Sequence, residues 1–372
     1  MREKAPAEPG MSRRRVLTAS AGTAAAAAAG GLVARQYVAS ATPSSAAPGA
    51  SGLIETVLEA FGTYRLVGLG ESHQLQEHHD LLQTLLADPR LPEVVDDIVV
   101  EFGNALYQDL IDRFVLGGEP VNDAALRLVW RNTTQSPEDT WDAPVYEQFY
   151  RRVRAVNRTL PPARRIRVLA GDPPVEWSNS GVPNAPYRVQ RDPYAASVVA
   201  KEVLAKGHRA LLHYGSGHVI HESGWLVGII EQQTGVRTYT ITDLVPLAGD
   251  PGGLGVKLSG YPRNTVIPTA GTWLGEMDAG DVLALEVLRD GGKPVNPDCG
   301  ILLGTLTDAG LYLGQPAVLT ESWPNPAIYL DPAYWAELQR RNAATGGGVD
   351  LDSLRQQQPP TFQLADIPGC GA

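Results

Sequence analysis

The chain has 372 residues, 43% apolar and 19% charged, enough to bury a sizeable core and too apolar for a disordered tail protein. Acidic residues outnumber Lys and Arg by 41 to 31, a net charge of −10, which argues against a nucleic-acid protein that must neutralise phosphates. Cys299 and Cys370 stand far apart with no C-x-x-C partner, so zinc-ribbon, iron–sulfur and multi-disulfide scaffolds are excluded while a single bond between the two stays open.

The first fifty residues read as an address. Ser12-Arg13-Arg14-Arg15-Val16-Leu17 precedes an Ala-rich run from Thr18 to Val33, the layout of a twin-arginine export signal. That run is too short and too rich in Ala and Gly to span a bilayer, which takes about 20 strongly apolar residues. Ala39-Ser40-Ala41 offers a cleavage site, so residues 1–41 are read as the signal and 42–52 as a flexible linker. Cleavage leaves 25 basic against 39 acidic residues, a mature charge of −14. The expectation is a protein handled by the twin-arginine machinery and released to the cell envelope, periplasm or medium, with no membrane span after cleavage.

From Tyr64 to Leu69 runs a strand ending in Gly70-Glu71-Ser72-His73, followed by a helix over about 75–87 with Leu75, Leu82, Leu85 and Leu86 on one stripe. Asp97 to Val100 is a second strand that ends at Glu101, and Tyr107, Leu110, Ile111 and Phe114 mark the helix after it. A helix over 145–157 leads to a third strand, Ile166 to Ala170, ending at Gly171-Asp172. Residues 173–192 read as a loop and 195–204 as a helix. Ala210 to Tyr214 is a fourth strand ending in Gly215-Ser216-Gly217-His218; a helix over 224–234 and a fifth strand, Thr238 to Ile241, follow. Residues 248–300 are dense in Gly and Pro and read as an insertion or lid. Leu311 to Leu313 is a last strand, and Tyr334 to Asn342 a terminal helix. The alternation predicts an α/β fold, with one domain over 53–330 and a C-terminal helix and tail over 331–372.

Chemistry collects at the strand ends. Glu71, His73, Glu101, Asp172 and His218 each lie at or just past the carboxyl end of a predicted strand, where open α/β sheets bind ligands. Acids there can also serve as helix caps. Two acids and two histidines, Glu71, His73, Glu101 and His218, form a candidate general acid–base site or, if metal-dependent, a ligand set. His78, Asp172, His213 and Asp308 are candidate substrate-contacting or supporting residues. His78 shares the leucine stripe and should face inward, whereas His79, about 100° round the helix, should face solvent. His213, inside a strand, reads as a satisfied core residue, and His208 and His221 as surface residues. Neither Ser72 nor Ser216 has the G-x-S-x-G elbow of a serine hydrolase, and phosphate-binding glycine motifs and H-E-x-x-H are missing.

Leu69-Gly70-Glu71-Ser72-His73, His78-His79, Val99-Val100-Glu101, Leu169-Ala170-Gly171-Asp172 and Gly215-Ser216-Gly217-His218-Val219, in this order, resemble the superfamily of erythromycin esterases, ChaN-like haem-binding proteins and Tiki/TraB proteins. The Gly-Glu-x-His turn with its His-His pair is similar to the ChaN-like branch; Leu110–Gly118 is similar to the esterase branch. The likeness spans about residues 53–245 with Asp308–Gly314 as closing strand. It implies a central mixed, mostly parallel β-sheet flanked by helices and a shared Glu/His site. From the esterase branch it implies metal-independent hydrolysis of an ester, lactone or amide, with His73 as base, Glu71 orienting it, and Glu101 and His218 stabilising or protonating developing charge. From the Tiki branch it implies a divalent metal on Glu71, His73, Glu101 and His218; from the ChaN branch, a non-enzymatic haem carrier. One residue rather than two separates Glu71 from His73, a departure from the esterase branch, and Arg113 and Arg127 are the arginines considered for the site. A small-molecule substrate or haem is the expected partner, with Trp177 and Trp273 in the segments that shape specificity.

Overall fold

Short aliphatic-rich segments buried on both faces, such as Asp97–Asn104 and Ala210–Gly215, are what parallel strands inside an α/β sandwich require. The computed structural model describes residues 50–138, 140–177, 189–283, 288–290, 293–355 and 362–370. The expected signal over 1–41, most of the linker, and positions 178–188 of the 173–192 loop lie outside the described residues.

The main sheet uses β1 (Ser51–Gly52), β2 (Leu66–Glu71), β3 (Asp97–Asn104), β4 (Arg167–Asp172), β5 (Ala210–Gly215), β6 (Thr238–Asp243), β7 (Thr265–Pro268) and, beyond a small hairpin of β8 (Leu288–Asp290) and β9 (Lys293–Val295), β10 (Ala309–Tyr312). Its order is β1-β7-β10-β6-β2-β5-β3-β4. The run from β10 to β4 is parallel throughout; β7 pairs antiparallel with β10 and with β1 at one edge. The molecule is thus an α/β protein with a mixed, mostly parallel eight-stranded central sheet. Helices α1 (Leu53–Ala60), α2 (Gln76–Ala87), α3 (Gln108–Val115), α4 (Asp123–Arg131), α5 (Pro144–Asn157), α6 (Arg191–Val198), α7 (Leu226–Thr234) and α8 (Pro332–Ala344) complete the fold.

Strand alternation divides the core. Val67, Leu69, Ile98, Val100, Leu211 and Ile241 face one side, packed with residues of α1 to α5. Leu66, Val99, Ala210, Leu212 and Tyr214 face the other, packed with α6 and α7. By the same alternation Glu71, His213 and Asp243 belong to the first face. Register places Glu71 beside Gly215, and Leu69 beside both His213 and Ile241, so these three polar side chains sit on adjacent strands of one face.

Two expectations change. The Gly/Pro-rich segment supplies β7 to the central sheet, and Leu254, Leu258, Ile267, Leu274 and Met277 bury themselves against Leu244 and Tyr312; it is part of the body of the fold. Its local pattern hid this because the strand is four residues long and flanked by turns. The helix read as beginning near 195 begins at Arg191 and continues as a π-helical turn over Val199–Val203. Cys299 and Cys370 are joined across 71 residues, tying the C-terminal tail to this region. Among the described residues no helix is long and apolar enough to cross a membrane.

The sheet tolerates no side chain at Gly171. A Cβ there would lie 1.6 Å from Tyr214 Oη and 2.8 Å from the Val100 carbonyl oxygen. Gly171→Ala is therefore expected to cost about 1–3 kcal/mol or more through overpacking, read as a lower urea midpoint; an unchanged midpoint would contradict this packing of the Tyr214 side chain against β4.

Candidate functional site

Glu71 closes β2 with its carboxylate buried, and its two oxygens face two different neighbourhoods. Oε1 accepts hydrogen bonds from His73 Nδ1 at 2.8 Å and from the Tyr146 hydroxyl at 3.0 Å. Oε2 lies 2.8 Å from His79 Nε2 and 3.6 Å from His213 Nε2. The turn between them is sharp: Gln74 takes a φ of 65°, a strained region for a residue with a Cβ. Tyr146 holds it by accepting the Gln74 N–H at 3.0 Å, and the Gln74 carbonyl accepts the Ser322 N–H at 2.7 Å. Ser72 N–H donates to Asp243 Oδ2 at 2.8 Å, and Asp243 Oδ1 is 2.8 Å from His78 Nδ1.

On the crevice side His73 remains one-third exposed, its ring edge-on to Trp141 at 4.8 Å. The ring can lie over β5 because residue 215 is glycine: a Cβ there would be 3.0 Å from His73 Nε2 and 3.5 Å from Glu101 Oε2. Glu101 is buried and fully engaged. Oε2 accepts the Gly215 N–H at 2.8 Å, and Oε1 accepts from Arg191 and lies 3.3 Å from His218 Nε2. His218 Nδ1 is 2.6 Å from Asp192 Oδ1. Asp172 accepts from the Thr134 N–H and hydroxyl and lies 3.8 Å from Arg191 Nε.

These contacts set the charges. Burial opposes ionisation of Glu101, but His218 and Arg191 hold it well below the usual carboxylate range. Burial likewise opposes charge on His218, yet Glu101 and Asp192 push it up to about 9, so the ring is a cation at neutral pH. Glu71 is held low against burial by His79, His213 and the His73 bond. His73 is raised, against burial, by its bond to Glu71 and the charge of Glu101. Burial drives Asp172 up to about 7 and His213 down to about 3. Alternating charges of this kind, pushed apart by environment, characterise reactive sites.

The histidine expectations divide. His78 faces inward as read. His79 does not face solvent: it is buried, edge-on to Tyr146 at 5.0 Å, because α5 packs on α2 and gives that helix a second covered face. His213 is buried but not satisfied; neither ring nitrogen has a hydrogen-bond partner. His221 is not a surface residue but largely buried between Glu231 and Asp308, while His208 stays one-third exposed beside Asp97. Asp308 serves that second network with Arg237 and the Thr240 N–H. It immediately precedes Ala309, which pairs with Ile241, so it lies level with Thr240, three residues short of Asp243 and about 10 Å back along the strands from the Glu71 layer.

Arg113 and Arg127 form loose pairs with Glu119 and Glu147 on the surface. The guanidinium at the crevice is Arg191, which sequence reasoning missed together with Asp192, Tyr146 and Asp243. Asp243 carried the strand-end signal that marked the other acids, since it closes the fifth strand.

Of the four residues expected as metal ligands, Glu101 is engaged by Arg191 and the Gly215 N–H, and His218 by Asp192 and Glu101. Glu71, His78 and His213 instead bring one ligand atom each to within 4.8 Å of one another. Asp278 approaches Cys299 and Cys370 similarly, but the disulfide occupies both sulfurs. Two surface depressions, around Trp335 and Asp350 and around Trp273 and Asp281, share no residue with the site.

No family model matches the chain, and no curated protein matches it. Among solved structures it is similar to a Bacillus cereus protein at 10% identity, with 72% of this chain and 92% of that one covered and a TM-score of 0.42. It is also similar to the type III effector HopBA1 at 15% identity, covering 52% and 82% with a TM-score of 0.34. ChaN of Campylobacter jejuni, solved with cofacially bound haem, is similar at 13% identity, covering 52% and 84% with a TM-score of 0.33. Likeness at this level does not establish a shared activity or ligand.

Arg191 is the countercharge of a buried carboxylate. Arg191→Met is expected to destabilise the fold by about 3 kcal/mol, because it strips the direct partner from a buried ion. Chemical denaturation checks this, and a loss below about 0.5 kcal/mol would show that Glu101 does not depend on it.

Proposed function

We propose that the protein is an exported hydrolase of an ester, lactone or amide in which His73 activates water. The observation that carries the reading is the 2.8 Å bond from His73 Nδ1 to Glu71 Oε1, with the ring one-third exposed and Nε2 lying over Gly215. A carboxylate on Nδ1 fixes the tautomer, so the Nε2 lone pair can take a proton from water. The oxygen nucleophile attacks the carbonyl carbon, and the proton held on Nε2 passes to the leaving oxygen or nitrogen as the tetrahedral intermediate collapses. Arg191 and protonated His218 supply preorganised positive charge beside the ring for the developing oxyanion. Glu101 fixes both cations in place.

The 2.8 Å Glu71–His73 pair, with Arg191 and His218 gathered on Glu101 nearby, favours the hydrolase over the haem carrier. Export draws on the basic and Ala-rich start over 1–41, which would be removed together with its charge. The Cys299–Cys370 bond suits an oxidising compartment.

His73→Ala is expected to abolish turnover of an ester and lactone panel while leaving the circular dichroism spectrum intact, and Gly215→Ala to lower it by pushing the ring out of place. Full activity in His73→Ala would sink the proposal. The pH profile follows from the two histidines. The base must be neutral, and its raised pKa places the rising limb above 6.5. The cation must be charged, so activity falls as pH passes about 9. A single limb centred near 4 would instead assign the base to a carboxylate.

A further inference from the structure

Behind the crevice, on the covered side of Glu71, lies a second group of side chains that the hydrolase reading does not use. His78 and His213 are fully buried. His78 Nε2 and both nitrogens of His213 have no hydrogen-bond partner, and Glu71 Oε2 meets His79 Nε2 at 2.8 Å without the alignment of a hydrogen bond. Leaving such groups unpaired away from water costs about 1–3 kcal/mol each, so their convergence on one point calls for a common partner. A second neighbouring histidine ring does not provide one: His78 and His213 are 5.3 Å apart between centroids and tilted by 30°, without a bond between them.

We propose that Glu71, His78 and His213 form a buried binding site for a divalent transition metal. The ligand atoms are Glu71 Oε2, His78 Nε2 and His213 Nε2. Oε2 of Glu71 and Nε2 of His213 are 3.6 Å apart, close to the roughly 3.4 Å between ligands of a tetrahedral ion with bonds of about 2.0–2.1 Å. One ligand atom from each of the three residues lies within 4.8 Å of the other two, so small rotations complete the set. Two imidazoles and one carboxylate suit zinc, iron(II) or its neighbours rather than calcium or magnesium.

The support around the ligands is that of a metal centre. His78 Nδ1 is 2.8 Å from Asp243 Oδ1, and Asp243 is itself fixed by the Ser72 N–H. A carboxylate behind a histidine sets the tautomer that turns the other nitrogen's lone pair toward an ion. Glu71 can ligate with Oε2 while Oε1 still holds His73, so the site needs no residue to leave the crevice. Because the ligands come from β2, α2 and β5, the site exists only in the folded chain, and metal binding there stabilises folding. The proposal does not rest on the hydrolase reading.

The test uses the mature protein purified without a metal-affinity step, incubated to equilibrium with cobalt(II) and read by its visible d–d absorption and by elemental analysis. One equivalent of metal with tetrahedral absorption is expected. His78→Gln and His213→Gln should each lose it. Asp243→Asn, which keeps the shape, should weaken affinity about 10–100-fold. His73→Ala and His218→Ala should retain the full equivalent, which separates this site from one built on the crevice residues. Wild-type protein that binds no cobalt would overturn the proposal without recourse to any variant. So would metal that survives His78→Gln and His213→Gln together but disappears in His218→Ala.

Discussion

The fold and its chemistry meet at a buried carboxylate with two faces. Glu71 stands at the end of a central strand, where no water reaches it, and it must be compensated from within the protein. One oxygen is used toward the crevice by His73 and Tyr146, the other toward the interior by His79 and His213. Everything that orders these partners follows from that demand. The strained Gln74 turn, the packing of α5 on α2 and the long-range bond from the Ser322 N–H to the Gln74 carbonyl all hold donors against one anion.

The second buried carboxylate is handled differently. Glu101 meets a guanidinium, an imidazolium and a backbone N–H, so it is a fixed charge rather than a reactive one. The two acids look alike in the sequence, each closing a strand. Their environments separate them: Glu71 is hydrogen-bonded to His73, and Glu101 anchors two cations. The proposed hydrolysis would need both, because a base without a positive field would leave the oxyanion unsupported, and a positive field without a base would leave water inert.

Much of this was legible in the sequence, for a physical reason. Parallel strands bury both faces and therefore appear as short runs rich in aliphatic and β-branched residues, so β2 to β6 were readable together with the acids at the ends of β2, β3 and β4. Tertiary packing was not readable. The helical period put His78 inside and His79 outside, but a second helix covers the outer stripe, and periodicity reports a buried face only when there is one. Arg191 and Asp192 lay in what read as loop, since the helix they open has little amphipathic pattern of its own. His213 looked like an ordinary core residue because a strand position says nothing about what its nitrogens reach. The four-residue strand β7 escaped because its pairing with β10 is long-range and its flanks are turns.

The central claim is that Glu71 fixes the tautomer of His73 and so leaves Nε2 as a base. Two-bond ¹⁵N–¹H correlation spectroscopy of the imidazoles, recorded where His73 is neutral, tests it directly. The account predicts a His73 ring protonated on Nδ1, with an unprotonated Nε2, reverting to a tautomeric mixture in Glu71→Gln. A His73 ring protonated on Nε2 in the intact protein would contradict it, for the base would then face the wrong way.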